Sequence, residues 1–151
     1  MKVKKILSML LAVVMLMSIF TAGMTVSAAG VTYSDVTEDM WSYEAIKFVT
    51  ENGLMNGTGG SSFSPAVSLT RAMVVTVLYR MEGSPAVSFI EDEFMDVKPD
   101  LFYSDAVAWA FDEKIVTGTA TDDWGVPYFS PDREITRQEL ATMFIRYADF
   151  K

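Results

Sequence analysis

The feature that most constrains this chain is that it matches itself. Tyr33-Ser34-Asp35-Val36 recurs as Phe94-Met95-Asp96-Val97, Trp41 as Phe102, Ala45-Ile46 as Ala106-Val107, Phe48 as Trp109, Leu54 as Ile115 and Gly57 as Gly118, all at an offset of 61. Beyond that glycine the offset is 66: Phe63-Ser64-Pro65 recurs as Phe129-Ser130-Pro131, Thr70-Arg71 as Thr136-Arg137, and Arg80 as Arg146. Five residues are therefore inserted between Gly118 and Phe129, in a Gly-, Asp- and Thr-rich stretch of the kind a surface loop tolerates. Units of roughly sixty residues bury little surface alone, so the two copies are expected to pack against each other.

Each copy reads as helix, loop, helix. In the first helix Trp41, Ala45, Phe48 and Val49 fall on one face, matched by Phe102, Ala106, Trp109 and Ala110, and Asn52-Gly53 suits a left-handed C-terminal cap. The later helix opens at Thr70 and Thr136, whose hydroxyls can cap free amides; Val74, Val77, Leu78 and Met81 then match Leu140, Met143, Phe144 and Tyr147 as a core stripe. Glu139, three residues after Thr136, completes a capping box, whereas Met73 holds the equivalent place in the first copy. Between the helices, Phe63-Ser64-Pro65 and Phe129-Ser130-Pro131 suggest a short extended piece with a docked aromatic. Gly83, Ser84 and Pro85 followed by an acidic run lack helical periodicity, and residues 84–93 read as a linker.

The first 29 residues stand apart from the repeat. Three lysines within Met1–Lys5, an almost wholly apolar run from Ile6 to Met24, and Thr25-Val26-Ser27-Ala28-Ala29 have the form of a signal peptide cleaved after Ala28 or Ala29; a retained membrane anchor is the competing reading. Removing those lysines moves the net charge from −8 to about −11. An acidic surface repels phosphate backbones, so nucleic acid is a poor partner. The chain has neither cysteine nor histidine. Disulfide staples are thus excluded, as are Ser-His and Cys-His nucleophile pairs and ordinary zinc sites, and neither metal nor cofactor is expected.

In order along each copy these residues are Tyr33-x-Asp35-Val36, Trp41, Ala45-Ile46, Gly53-Leu54-x-x-Gly57, Phe63-x-Pro65 and Thr70-Arg71-Ala72-Met73, then Phe94-x-Asp96-Val97, Phe102, Ala106-Val107, Ile115-x-x-Gly118, Phe129-x-Pro131 and Thr136-Arg137-Gln138-Glu139. The pattern resembles the S-layer homology (SLH) family, whose modules run from aromatic-x-Asp-Val through Trp, Ala-Ile, Gly-Ile-x-x-Gly and Phe-x-Pro to Thr-Arg-Ala-Glu. The resemblance covers nearly the whole chain behind residues 1–29, giving a signal peptide at 1–29, one module at 30–83, the linker at 84–93 and a second module at 94–151. It implies a mainly α fold of tandem helix-loop-helix modules packed with pseudo-symmetry. It also implies a secreted protein of the bacterial cell wall or S-layer surface that holds non-covalently to an anionic secondary cell-wall polysaccharide, in this family often a pyruvylated one. Members commonly carry three modules with ligand grooves between neighbours. Two modules therefore also suit a structural subunit that completes a three-module assembly with another SLH chain or as an oligomer. No reaction is expected, and membrane contact ends with signal cleavage.

The expected ligand-binding residues are Arg71 and Arg137 for the anionic group, Thr70 and Thr136 at the helix starts, Gly57 and Gly118 in the groove walls, and Glu139. An arginine in the first turn of a helix meets the positive end of the dipole, so it either faces an anion together with free amides or pairs with a nearby acid. Trp41 and Phe102 are expected in the core rather than stacked on sugar. Gly57-Thr58-Gly59-Gly60-Ser61 lacks the lysine of a phosphate-binding loop. Asp122-Asp123-Trp124-Gly125 lacks the ligand spacing of an EF-hand and reads as a solvated turn; Asp35 and Asp96 read as turn or capping acids that bond neighbouring amides.

Overall fold

A computed structural model describes residues 32–87 and 93–151; the expected signal peptide and residues 88–92 of the expected linker lie outside the described residues. The described chain is mainly helical: α1 (Tyr43–Glu51), α2 (Arg71–Met81), α3 (Ser104–Asp112), a short antiparallel pair β1 (Ala120–Thr121) and β2 (Pro127–Tyr128), and α4 (Arg137–Phe150). No helix among these residues is long and apolar enough to cross a membrane.

Local chemistry sets the helix ends. The Thr70 hydroxyl accepts from the Met73 amide at 3.3 Å, and Thr136 does the same for Glu139. Glu139 returns the bond by accepting from the Thr136 amide at 3.0 Å, so α4 carries the full capping box and α2 only half of one. Helices α1 and α3 start without a side-chain cap. After α1 the chain turns through Gly53 at φ 67°, as the sequence suggests; after α3 the same turn is made by Lys114 at φ 60°.

The core gathers where α2 packs on α3. Val75, Leu78, Ala106, Val107, Trp109 and Ala110 are buried there, with Ile115, Val116 and Phe129 closing it from the loops. Burial is uneven between the copies. Ala106 and Trp109 are covered by α2, but their counterparts Ala45 and Phe48 on α1 face solvent, and Ile46 is the residue α1 buries. Similarly, Val74 and Leu78 are buried on α2, whereas α4 buries Met143 and leaves Phe144 exposed. The expected apolar stripes are thus half in the core. Trp41 and Phe102 correct the expectation outright: they are 98 % and 64 % exposed. Both precede the first helical residue, so the helical spacing that put them on a buried face does not apply.

The loops between helices also depart from expectation. Phe63-Ser64-Pro65 and Phe129-Ser130-Pro131 are not extended; Ser64 and Ser130 sit in left-handed conformation at φ 61° and 59°. Two carboxylates hold them there. Asp35 accepts from the Phe63 and Ser64 amides at 2.8 and 2.7 Å, and Asp96 accepts from Phe129 and Ser130, both at 2.7 Å. These amides are 28 to 34 residues away rather than neighbours, so each acid ties the start of its copy to the middle. The serine hydroxyls pair with Thr58 and Thr119 at 2.6 and 2.8 Å. The insertion forms the β1–β2 hairpin, with Asp122 accepting from the Trp124 and Val126 amides and Gly125 at φ 85°, a turn as expected.

Candidate ligand grooves

Two grooves lie at equivalent places in the two copies. The first, about 500 Å³, runs between the Leu54–Thr58 loop and one side of α2, including Met73, Thr76, Val77 and Arg80, and extends over Phe63, Pro65, Val67 and Leu69 to Phe102. The second, about 340 Å³, runs between Ile115–Gly118 and one side of α4, including Gln138, Glu139, Thr142, Met143 and Arg146, with Arg71 entering from the first copy. Repeat offsets map Met73 to Glu139, Thr76 to Thr142, Val77 to Met143 and Arg80 to Arg146. The first groove is mainly apolar with a single arginine, whereas the second has two arginines and one carboxylate.

Glycine shapes both walls by necessity. A Cβ at Gly57 would stand 2.4 Å from the Ser62 carbonyl oxygen and 2.7 Å from the Tyr33 ring. At Gly118 it would meet Pro127 at 2.9 Å and the Tyr128 carbonyl oxygen at 3.0 Å, on a backbone already at φ 79°. The opening aromatic of each copy thus packs against the groove glycine, which is why the two recur together.

Arg71 is the residue whose setting the sequence least foretold. It is buried, and its guanidinium leaves the first copy altogether: Nε donates to the Phe129 carbonyl at 2.9 Å, Nη1 to Glu139 Oε1 at 3.1 Å, and the group lies 4.9 Å above the Phe129 ring. Backbone bonds fix the plug, with the Arg71 amide donating to the Arg133 carbonyl and the Ala72 amide to that of Pro131. Burial first, and then the Arg133 charge, pulls the Arg71 pKa down, while Glu139 and Asp96 oppose that. Glu139 is held at about 2, first by the Arg133 side chain, then by the Thr136 amide and hydroxyl and by Arg71. Arg71 does pair with an acid, and that acid belongs to the other copy.

The structure therefore brings Arg71, Glu139 and Gly118 together in the second groove and puts Gly57 in the first. Thr70 and Thr136 act as helix caps beside the grooves. Arg137 is exposed and lines neither groove. Sequence reasoning passed over Arg80 and Arg146, which line the grooves and donate to backbone carbonyls of the opposite wall, Leu54 at 3.2 Å and Ile115 at 3.5 Å. Their recurrence at one offset was the available signal.

Residues 32–72 and 93–141 match the S-layer homology domain. The chain is 32% identical over 154 residues to an endoglucanase of Bacillus sp. (strain KSM-635), covering 99% of this chain and 16% of the enzyme. It is 32% identical over 136 residues to the Surface-layer 125 kDa protein of Lysinibacillus sphaericus, covering 85% and 11%. A cellulosome-anchoring protein of Acetivibrio thermocellus is 38% identical over 52 residues, covering 34% and 12%. The chain thus spans about a sixth or less of the length of these relatives. It belongs to the S-layer homology domain family.

Proposed function

We propose that this chain anchors non-covalently to the cell wall by taking an acidic secondary wall polysaccharide into the second groove, where Arg146 and Arg71 face the anionic substituent. The chain is a cell-wall or surface-layer protein by its family and by its surface-layer and anchoring relatives. These point to a non-catalytic anchoring module, and the endoglucanase likeness covers only 16% of that enzyme.

One observation carries the polymer reading. A chain of net charge −8 concentrates two guanidinium groups against one carboxylate in a single groove, leaving one cation in excess. The Arg146 contacts to the Ile115 carbonyl and the Thr117 hydroxyl are long, at 3.5 and 3.4 Å, so its donor fork has capacity for a carboxylate such as a pyruvyl group. Gly118 lets the backbone come close, while Thr136 and Glu139 hold the helix start and the Arg71 plug in place. In the first groove Met73 supplies no carboxylate and Arg80 stands alone, so that groove contributes less.

The test is retention on wall sacculi by the Arg146→Ala variant. A drop of about tenfold or more in affinity, with a smaller effect from Arg80→Ala, is expected for the loss of one charge-assisted contact. Unchanged retention by Arg146→Ala sinks the assignment of the second groove.

A further inference from the structure

Repeat equivalence turns the α2–α3 contact into a template. The α2 face carrying Val75, Leu78 and Tyr79 covers the α3 face carrying Ala106 and Trp109. The same positions on α4 are Ala141, Phe144 and Ile145, and on α1 they are Ala45 and Phe48. Leu78 is 3 % exposed against 51 % for Phe144, and Trp109 is 4 % exposed against 59 % for Phe48. One chain thus presents both halves of a contact it makes once internally.

The Arg71 plug repeats the pattern. Arg137 is its counterpart and is exposed, its side chain making no hydrogen bond or ion pair among the described residues. The seat that receives Arg71 consists of the Phe129 carbonyl and ring, Glu139, and the carbonyls of Pro131 and Arg133. Its counterpart in the first copy is Phe63, Met73, Pro65 and Val67, which line the open first groove, with the Phe63 loop held by Asp35 as the Phe129 loop is by Asp96. Phe102, from the second copy, lines the first groove, and the residue in its place for the second groove would be a Trp41.

We infer that a second copy of this chain docks head to tail on the first, laying its α1 face on α4, receiving Arg137 in its Phe63 seat and closing the second groove with its Trp41. The junction joins unlike surfaces, so both partners keep one free end and association continues with concentration unless the rotation closes a ring. Trp41, with nearly its whole side chain in solvent, gains cover and becomes a stacking wall for a sugar ring. That last role rests on the second groove being the polymer site; the docking does not. Met73 leaves the intermolecular seat without the carboxylate that holds Arg71, so the junction between chains is weaker than the one within the chain.

Sedimentation velocity of residues 30–151 across a concentration series, without any wall polymer, tests this separately from wall binding. Association should rise with concentration in the parent and be lost in Phe48→Asp and in Phe144→Asp, two exposed positions whose substitution leaves the core intact. An equimolar mixture of those two variants retains one good α1 and one good α4, so it should form a dimer and nothing larger. Met73→Glu should tighten association about tenfold or more by restoring the charge-assisted bond to Arg137, and Arg137→Ala should cancel that gain. A parent that stays monomeric across the series overturns the inference, as does a mixture of the two variants that remains monomeric.

Discussion

Arg71, which opens the second helix of the first repeat, is held by Glu139, in the first turn of the second helix of the second repeat, at 3.1 Å and 68 residues away in sequence. The carboxylate of the Thr-Arg-x-Glu motif therefore positions the arginine of the preceding repeat rather than the one two residues before it. This pair ties the two repeats together across their second helix starts.

Removing either partner should be costly. Glu139→Ala leaves a buried guanidinium without its acid and breaks the α4 capping box, for a loss of about 3 kcal/mol or more. Arg71→Lys should not rescue the fold, because one ammonium cannot serve the Phe129 carbonyl and Glu139 together as Nε and Nη1 do. Urea unfolding of the three proteins measures this directly, and a Lys variant equal to the parent would show that the fork geometry is immaterial.

Acid should unfold the chain through the same residue. Glu139 titrates at about 2 in the fold against 4.5 when free, so its folded pKa is depressed. Its contribution is complete above about pH 4.5 and disappears as pH falls toward 2, on the order of 2 kcal/mol after allowance for its partly exposed side. Stability measured from pH 6 to 2 should fall less steeply in Glu139→Gln than in the parent.

At the alkaline end Tyr147 carries the opposite sign. Its hydroxyl donates to Glu82, which raises the phenol to about 12 from 10. Stability from this contact is present below pH 10 and lost as pH rises toward 12. Tyr79 and Tyr103 are also raised by burial, so phenolate absorbance should show late-titrating tyrosines of which Tyr147 alone moves down in Glu82→Gln.

Gly118→Ala should destabilise by about 2 kcal/mol or more, since the new Cβ meets Pro127 and the Tyr128 carbonyl on a left-handed backbone. Gly83 shares the positive φ, at 76°, but opens onto free space, so Gly83→Ala should cost only about 1 kcal/mol. Thermal melts of the pair separate steric contact from backbone strain, and equal losses would remove the role given to the close approach of Pro127 and Tyr128 to Gly118.

What the sequence showed depended on how local the physics was. The Thr70 and Thr136 caps, the Gly53 turn and the Asp122 turn are decided within a few residues and were read correctly. The duplication also revealed the groove glycines, because insertion and offset bracket them. Long-range partners were hidden. Nothing near Asp96 announces that it bonds Phe129 and Ser130, and nothing near Arg71 announces Glu139. Periodicity misplaced Trp41, since a pattern of helical spacing does not show where the helix begins. It likewise could not show that Phe48 and Trp109, equivalent in sequence, differ in having a helix laid over them.

The most direct measurement of the central claim is co-sedimentation of residues 30–151 with wall sacculi before and after extraction of the secondary polymer. Pelleting that depends on the polymer and weakens when its acidic substituents are removed is the predicted result. Pelleting that persists on extracted walls, or none on intact ones, would contradict polymer binding by this pair of repeats.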